Sequence, residues 1–126
     1  MPHHVGKDEF ARLVEQALAD LPDPFAKVLE EVPVEIRTRP SRAQLRSLGL
    51  EEDELLLGLY HGRPLTERSV EDSARMPDVI YIFQEDVEVA CDSEAELIEQ
   101  VRMTVLHEIG HLLGWDEDEV DERGLG

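Results

Sequence analysis

Residues 101–117 read VRMTVLHEIGHLLGWDE, and this stretch decides the fold. His107 and His111 are four residues apart, so on a helix they lie one turn apart on the same side. Both imidazoles can then face a single metal ion. Glu108 is rotated by about 100° from His107, near enough to reach a metal-activated water without filling a ligand position. Two neutral nitrogen donors, an open coordination position and a nearby carboxylate base are what a hydrolytic zinc site requires.

The flanks support a helix at this point. Ser93 and Glu96 form a capping-box pattern at its start, and Gly114 stands just past its end. On a helical wheel Ile98, Val101, Val105, Ile109 and Leu112 gather on one side, widened by Leu106 and Leu113, which predicts a largely buried helix. The histidine pair shares the opposite side with Gln100, Met103 and Thr104. Two His and a Glu midway along such a helix are costly without a partner. The competing explanation is a pair of satisfied core histidines and a solvated Glu108. Gly114 tolerates positive φ, so the chain can leave the helix and fold back toward the metal. Glu117 is then the expected third ligand, with Asp116 the close rival and Asp118 a distant one.

Upstream, Phe10, Leu13, Val14, Ala17, Leu18 and Leu21 recur at helical spacing, with Asp8 placed to cap and Pro22 to stop the run. Asp23-Pro24 then restarts the chain as a cap and first-turn proline, giving a short helix through Phe25, Val28 and Leu29. Residues 32–37 alternate as a strand, Ser41 and Gln44 open a small helix closed by Gly49, and residues 55–60 form the next strand. Residues 64–77 read as a long polar connection. The run Asp78-Val-Ile-Tyr-Ile-Phe83 predicts a central strand, followed by a short acidic connection. A short last helix containing Val120 and capped by Gly124 completes the chain. This order predicts one α+β domain over residues 1–126. A small mixed sheet of three to four strands is packed by an N-terminal helix and a long C-terminal metal-binding helix.

The chain has 126 residues, 30 acidic and 12 basic, for a formal net charge of −18. That disfavours any role that needs a broad basic footprint on nucleic acid or on an anionic membrane. Its single cysteine, Cys91, excludes an intrachain disulfide and a cysteine-rich zinc site. The acidic neighbours Glu88, Asp92 and Glu94 would raise its thiol pKa, so Cys91 reads as a small packed residue. No signal-peptide pattern opens the chain, and no apolar run approaches the roughly 20 residues that span a bilayer. A soluble cytoplasmic protein is expected. His3 and His4 read as an exposed, fraying terminus. The acidic tail around Asp116–Glu122 lacks the ligand alternation of a calcium loop.

The stretch from His107 to Glu117 resembles the zincin motif HExxHxxGxx followed by a third ligand. Leu57-Gly-Leu-Tyr60-His-Gly-Arg-Pro-Leu-Thr-Glu-Arg68, the strand at 78–83 and the acidic lead-in at 92–99 resemble a family of small bacterial zincin-like metallopeptidases. The likeness runs from about Leu55 onward. It implies a zinc-dependent peptidase in which His107, His111 and Glu117 (or Asp116) bind Zn²⁺ and Glu108 is the general base. It also implies that the strand Leu55 to Tyr60 is the edge along which an extended peptide pairs, with Tyr60 and His61 as candidates to stabilise the oxyanion. Their alternative roles are a packed strand aromatic and a turn histidine. Two departures stand out. Metzincins carry a third His where Glu117 stands, and no methionine follows the motif. The short stretch after Glu117 leaves no second subdomain, which suggests a shallow cleft or one completed by a partner chain. The expected substrate is a peptide or an unfolded protein, with no nucleic-acid or membrane partner. A metal-dependent endoribonuclease is the nearest rival. Residues 64–126 hold 18 acidic and 4 basic side chains, which would repel a phosphate backbone. The other rival is a non-catalytic zinc-binding interaction domain.

Overall fold

Residues 79–83 sit in the middle of the sheet, where β-branched and aromatic side chains suit a strand with neighbours on both edges. The structure is a computed structural model that describes residues 3–62 and 78–122, apart from the side chains at 117, 121 and 122. Among the described residues the strands are β1 (Val34–Arg37), β2 (Gly58–His61) and β3 (Val79–Phe83), ordered β1-β3-β2. β1 runs parallel to β3 with Val34 opposite Ile80, and β2 runs antiparallel with Tyr60 opposite Ile80. The mixed sheet and the central place of β3 match the sequence expectation. The expected connection at 64–77 and the cap at Gly124 lie outside the described residues.

The helices around the sheet are α1 (Lys7–Leu18), α2 (Phe25–Glu31), α3 (Arg42–Ser47), α4 (Gln84–Ala90), α5 (Glu94–Leu112) and α6 (Glu117–Glu122). Phe10 and Leu13 of α1 meet Val101, Val105 and Ile109 of α5 and Ile80 and Ile82 of β3 in one core, all fully buried. With aromatics only 5% of the chain, this buried cluster is aliphatic apart from Phe10 and Cys91.

Capping chemistry sets the ends of α5. Ser93 Oγ accepts the Glu96 N–H at 3.1 Å. The reciprocal half of the expected box does not form, because the Glu96 carboxylate accepts the Asp92 N–H at 2.7 Å instead. At the other end Gly114 has φ 90°. The Gly114 N–H donates to the His111 carbonyl and the Trp115 N–H to the Gly110 carbonyl, each at 2.9 Å. This is a Schellman stop, and it needs glycine at the left-handed position.

Four local expectations are corrected. Asp8 is not the cap of α1: Gly6 holds that position without a side-chain bond, and Asp8 sits in the first turn, where its charge complements the helix dipole. Asp23 is likewise not a cap; Pro24 occupies that position in α2. The acidic connection after β3 is the helix α4, whose Val87 is fully buried and whose Asp86 and Glu88 are nearly so. Its three acids mask a buried face, since two of them point inward to partners. The N-terminus does not fray from His3 on. The His3 N–H donates to the Cys91 carbonyl at 2.9 Å, the Val5 N–H to Glu88 Oε2 at 3.0 Å, and His4 Nδ1 lies 3.2 Å from Glu88 Oε1.

Candidate metal centre

α5 carries the centre on the side turned away from the core. His107, Glu108 and His111 are half-buried, between the fully buried Val105 and Ile109 below and solvent above. His107 Nε2 and His111 Nε2 face each other at 3.0 Å, with ring centroids 4.7 Å apart and planes crossing at 76°. Donor atoms of the two imidazoles and the Glu108 carboxylate all lie within 4.8 Å of one another. Two nitrogens bound tetrahedrally to one zinc at about 2.0–2.1 Å would stand roughly 3.3 Å apart, so the imidazoles are already close to a chelating pose. Nitrogen and carboxylate oxygen suit a borderline divalent ion such as zinc, and the half-buried setting leaves access for water. The residues present fit the metal.

Glu108 is positioned by the sheet. Its Oε1 accepts the backbone N–H of Tyr60 at 2.8 Å. β2 reaches that close because residue 58 is glycine: a Cβ there would stand 2.5 Å from Thr104 Cγ2 and 2.9 Å from the Tyr81 carbonyl oxygen. Beside the contact opens a cleft of ≈ 400 Å³, bounded by Leu55–Gly58 on one side and by Gln100, Met103, Thr104, His107 and Glu108 on the other. The wheel grouping of Gln100, Met103 and Thr104 with the His pair is therefore the cleft wall on α5.

The remaining candidates divide. The Tyr60 ring packs against the hydrophobic core, and the group Tyr60 presents to Glu108 is its main-chain amide. His61 is exposed at the far end of β2. The exposed Asp116 accepts the Glu119 N–H at 2.8 Å and so caps α6, and among the described residues it is not in the donor cluster. Glu117 is the first residue of α6, and its side chain lies outside the described residues. The chain does fold back after Gly114. Val120 of α6 is fully buried, and its Cγ2 stands 3.0 Å from where a Cβ on Gly110 would be, one residue before His111.

Two contributors escaped the sequence reading. Gly58 had a readable signal, a glycine inside an apolar strand run. Asp86 had none, because its segment read as connection. It is 2% exposed, and its Oδ2 accepts the Leu56 N–H at 2.9 Å, fixing the lip of the cleft. Cys91 takes no part. It is 1% exposed, and burial, then the charges of Glu96 and Asp92, push its thiol pKa up.

A paired-histidine helix, a carboxylate anchored on β2, an edge strand among the described residues, and a cleft between them define the metal-dependent hydrolase kind of site. The chain belongs to the zincin-like metallopeptidase family, whose profile matches residues 29–126. That family implies a metal, typically zinc. The fold also resembles the solved structure of a conserved hypothetical protein from T. thermophilus. It is 20% identical, with a TM-score of 0.56 over 94% of this chain and 99% of that one. No curated protein matches the chain. Among the described residues no helix is long and apolar enough to cross a membrane.

Proposed function

We propose that the protein is a zinc-dependent peptidase acting on extended peptide or unfolded protein segments. The observation that carries this reading is the convergence of two facing imidazoles and a carboxylate, itself held by the edge strand, at the wall of an open cleft. His107 and His111 would hold the metal, with Glu117 as third ligand. Bound there, zinc supplies Lewis-acid polarisation of the scissile carbonyl and acidifies water at neutral pH. Glu108 takes the proton of the attacking water and returns it to the leaving amine nitrogen. The Tyr60 amide fixes one carboxylate oxygen, so the base does not have to be ordered when substrate arrives. Leu55, Leu57 and Met103 give the cleft an apolar wall suited to an aliphatic or aromatic side chain. The net charge of −18 favours peptide over RNA and fits a cytoplasmic protein outside the anionic-membrane class. A partner chain covering the open cleft would exclude water more fully.

The deciding experiment is Glu108→Gln in the zinc-loaded protein. Metal content and fold should be retained while hydrolysis of unstructured peptides falls by 10² or more, the scale of losing a general base. Wild-type rates in that variant would refute the mechanism.

A further inference from the structure

The outer edge of β2 is closed by carboxylates at two places. The Leu57 carbonyl accepts the Phe83 N–H at 3.0 Å, so residue 57 bonds toward β3, as 59 and 61 do by alternation. Residues 56, 58 and 60 therefore turn their N–H groups outward, away from the sheet. Of these three, the Leu56 amide is taken by Asp86 Oδ2 at 2.9 Å and the Tyr60 amide by Glu108 Oε1 at 2.8 Å. The Gly58 amide, between them, has no side-chain partner among the described residues, and Gly58 lines the cleft.

We infer that β2 offers an incoming peptide one main-chain donor, the N–H of Gly58, and that Asp86 and Glu108 close the donors on either side. The inference rests on the peptidase reading and sets how the substrate is recognised. In an antiparallel approach the residue opposite Gly58 exchanges two hydrogen bonds with it. The residues beyond are held by side-chain contact with Leu55, Leu57 and Met103. A longer strand added along this edge would have to pull Glu108 off Tyr60 and so disarm the base. Selectivity then falls on one short, apolar segment of the substrate instead of a long strand. Among the described residues nothing pairs with the outer side of β2, and the two acids occupy two of its three outward donors, which disfavours pairing with other chains.

Amide hydrogen exchange tests this residue by residue. In the free protein the Leu56 and Tyr60 amides should exchange slowly, and the Gly58 amide, buried but without a side-chain acceptor among the described residues, faster than either. Glu108→Ala should speed Tyr60 exchange roughly tenfold, the scale of one lost hydrogen bond, and leave Leu56 unchanged. Asp86→Asn, whose amide oxygen can still accept, is the check that a loss of protection reports the local bond and not a loosened fold. Next, a synthetic decapeptide with leucine at its centre is added to the zinc-loaded Glu108→Gln protein, which cannot turn it over. New protection should appear at Gly58, and in Glu108→Ala it should spread to Tyr60. A Gly58 amide as slow as its neighbours in the free protein overturns the inference. So does bound peptide that leaves Gly58 exchanging at its free rate. A peptide that neither binds nor is cleaved by the wild-type zinc form refutes the peptidase reading instead, and the free-protein exchange pattern still decides the edge.

Discussion

At the residue scale the site depends on close approaches that tolerate no extra atom. Gly58→Ala would place a Cβ 2.5 Å from Thr104 Cγ2 and 2.9 Å from the Tyr81 carbonyl oxygen. The first atom belongs to a side chain and the second to the central strand, so β2 itself has to move. We expect a loss of about 1–3 kcal/mol, as for overpacking, read as a lower Tm. Thr104→Ser removes the methyl and should recover part of that loss in the double variant, with the clash at Tyr81 remaining. Glu88 depends on partners instead of space. Burial alone would raise its pKa, but the hydrogen bond from Gln84, the Val5 N–H and His4 together outweigh it and hold the carboxyl below its ordinary 4.5. A carboxylate whose folded pKa is depressed binds fewer protons in the folded state than in the unfolded one. Its contribution is therefore present above about pH 4.5 and lost as pH falls through the lower folded value. Glu88→Gln should flatten the acid limb of a stability–pH curve between those limits while leaving the neutral-pH fold intact. A limb of unchanged slope would remove Glu88 from the account.

At the scale of elements, the sequence showed the long helix with its ends, and the reason is local. Ser93 and Gly114 act within a few residues of themselves, through an N-terminal cap bond and a left-handed stop. The His-Glu-x-x-His spacing needs no more than helical periodicity to set two imidazoles one above the other. α4 was hidden for the opposite reason. Asp86 and Glu88 look like solvated charge in a linear reading, and only the arrival of Leu56 and Val5 from distant segments turns them into buried, bonded groups. α6 falls between these cases, foreseen through Val120 but placed by what that residue touches. Val120 is fully buried over Gly110. Trp115, also against Gly110, meets Phe25 edge-on with centroids 6.3 Å apart. Val120→Ala should cost about 1–3 kcal/mol and loosen α6 from the metal helix. If α6 supplies the third ligand, zinc affinity falls with it, measured by competition with a chelator. Unchanged affinity would assign the third position elsewhere.

For the molecule as a whole, metal binding and folding are linked. An ion held by the folded state alone stabilises it by RT ln(1 + [L]/Kd), about 2.7 kcal/mol at a hundredfold excess over Kd. Zinc should therefore raise Tm, a chelator should reverse the rise, and His107→Ala or His111→Ala should abolish it. The core beneath the site is already closed by Phe10, Leu13, Ile80, Ile82 and Val105, so the metal-free protein is expected to stay folded. Collapse on chelation would instead make the ion a structural one.

The sequence by itself determined the long helix that carries His107, Glu108 and His111 together, the aliphatic core and the central place of β3 in a mixed sheet. Each of these follows from periodicity, spacing or composition, which act along the chain. Tertiary structure alone decided which group holds Glu108, which acid fixes Leu56 and which outward amide of β2 is left without a side-chain partner among the described residues. Those contacts join residues 30 and 48 positions apart, and one partner in each is a backbone N–H that every residue but proline carries. No side-chain pattern marks such a donor in advance; only the approach of β2 to α4 and α5 does.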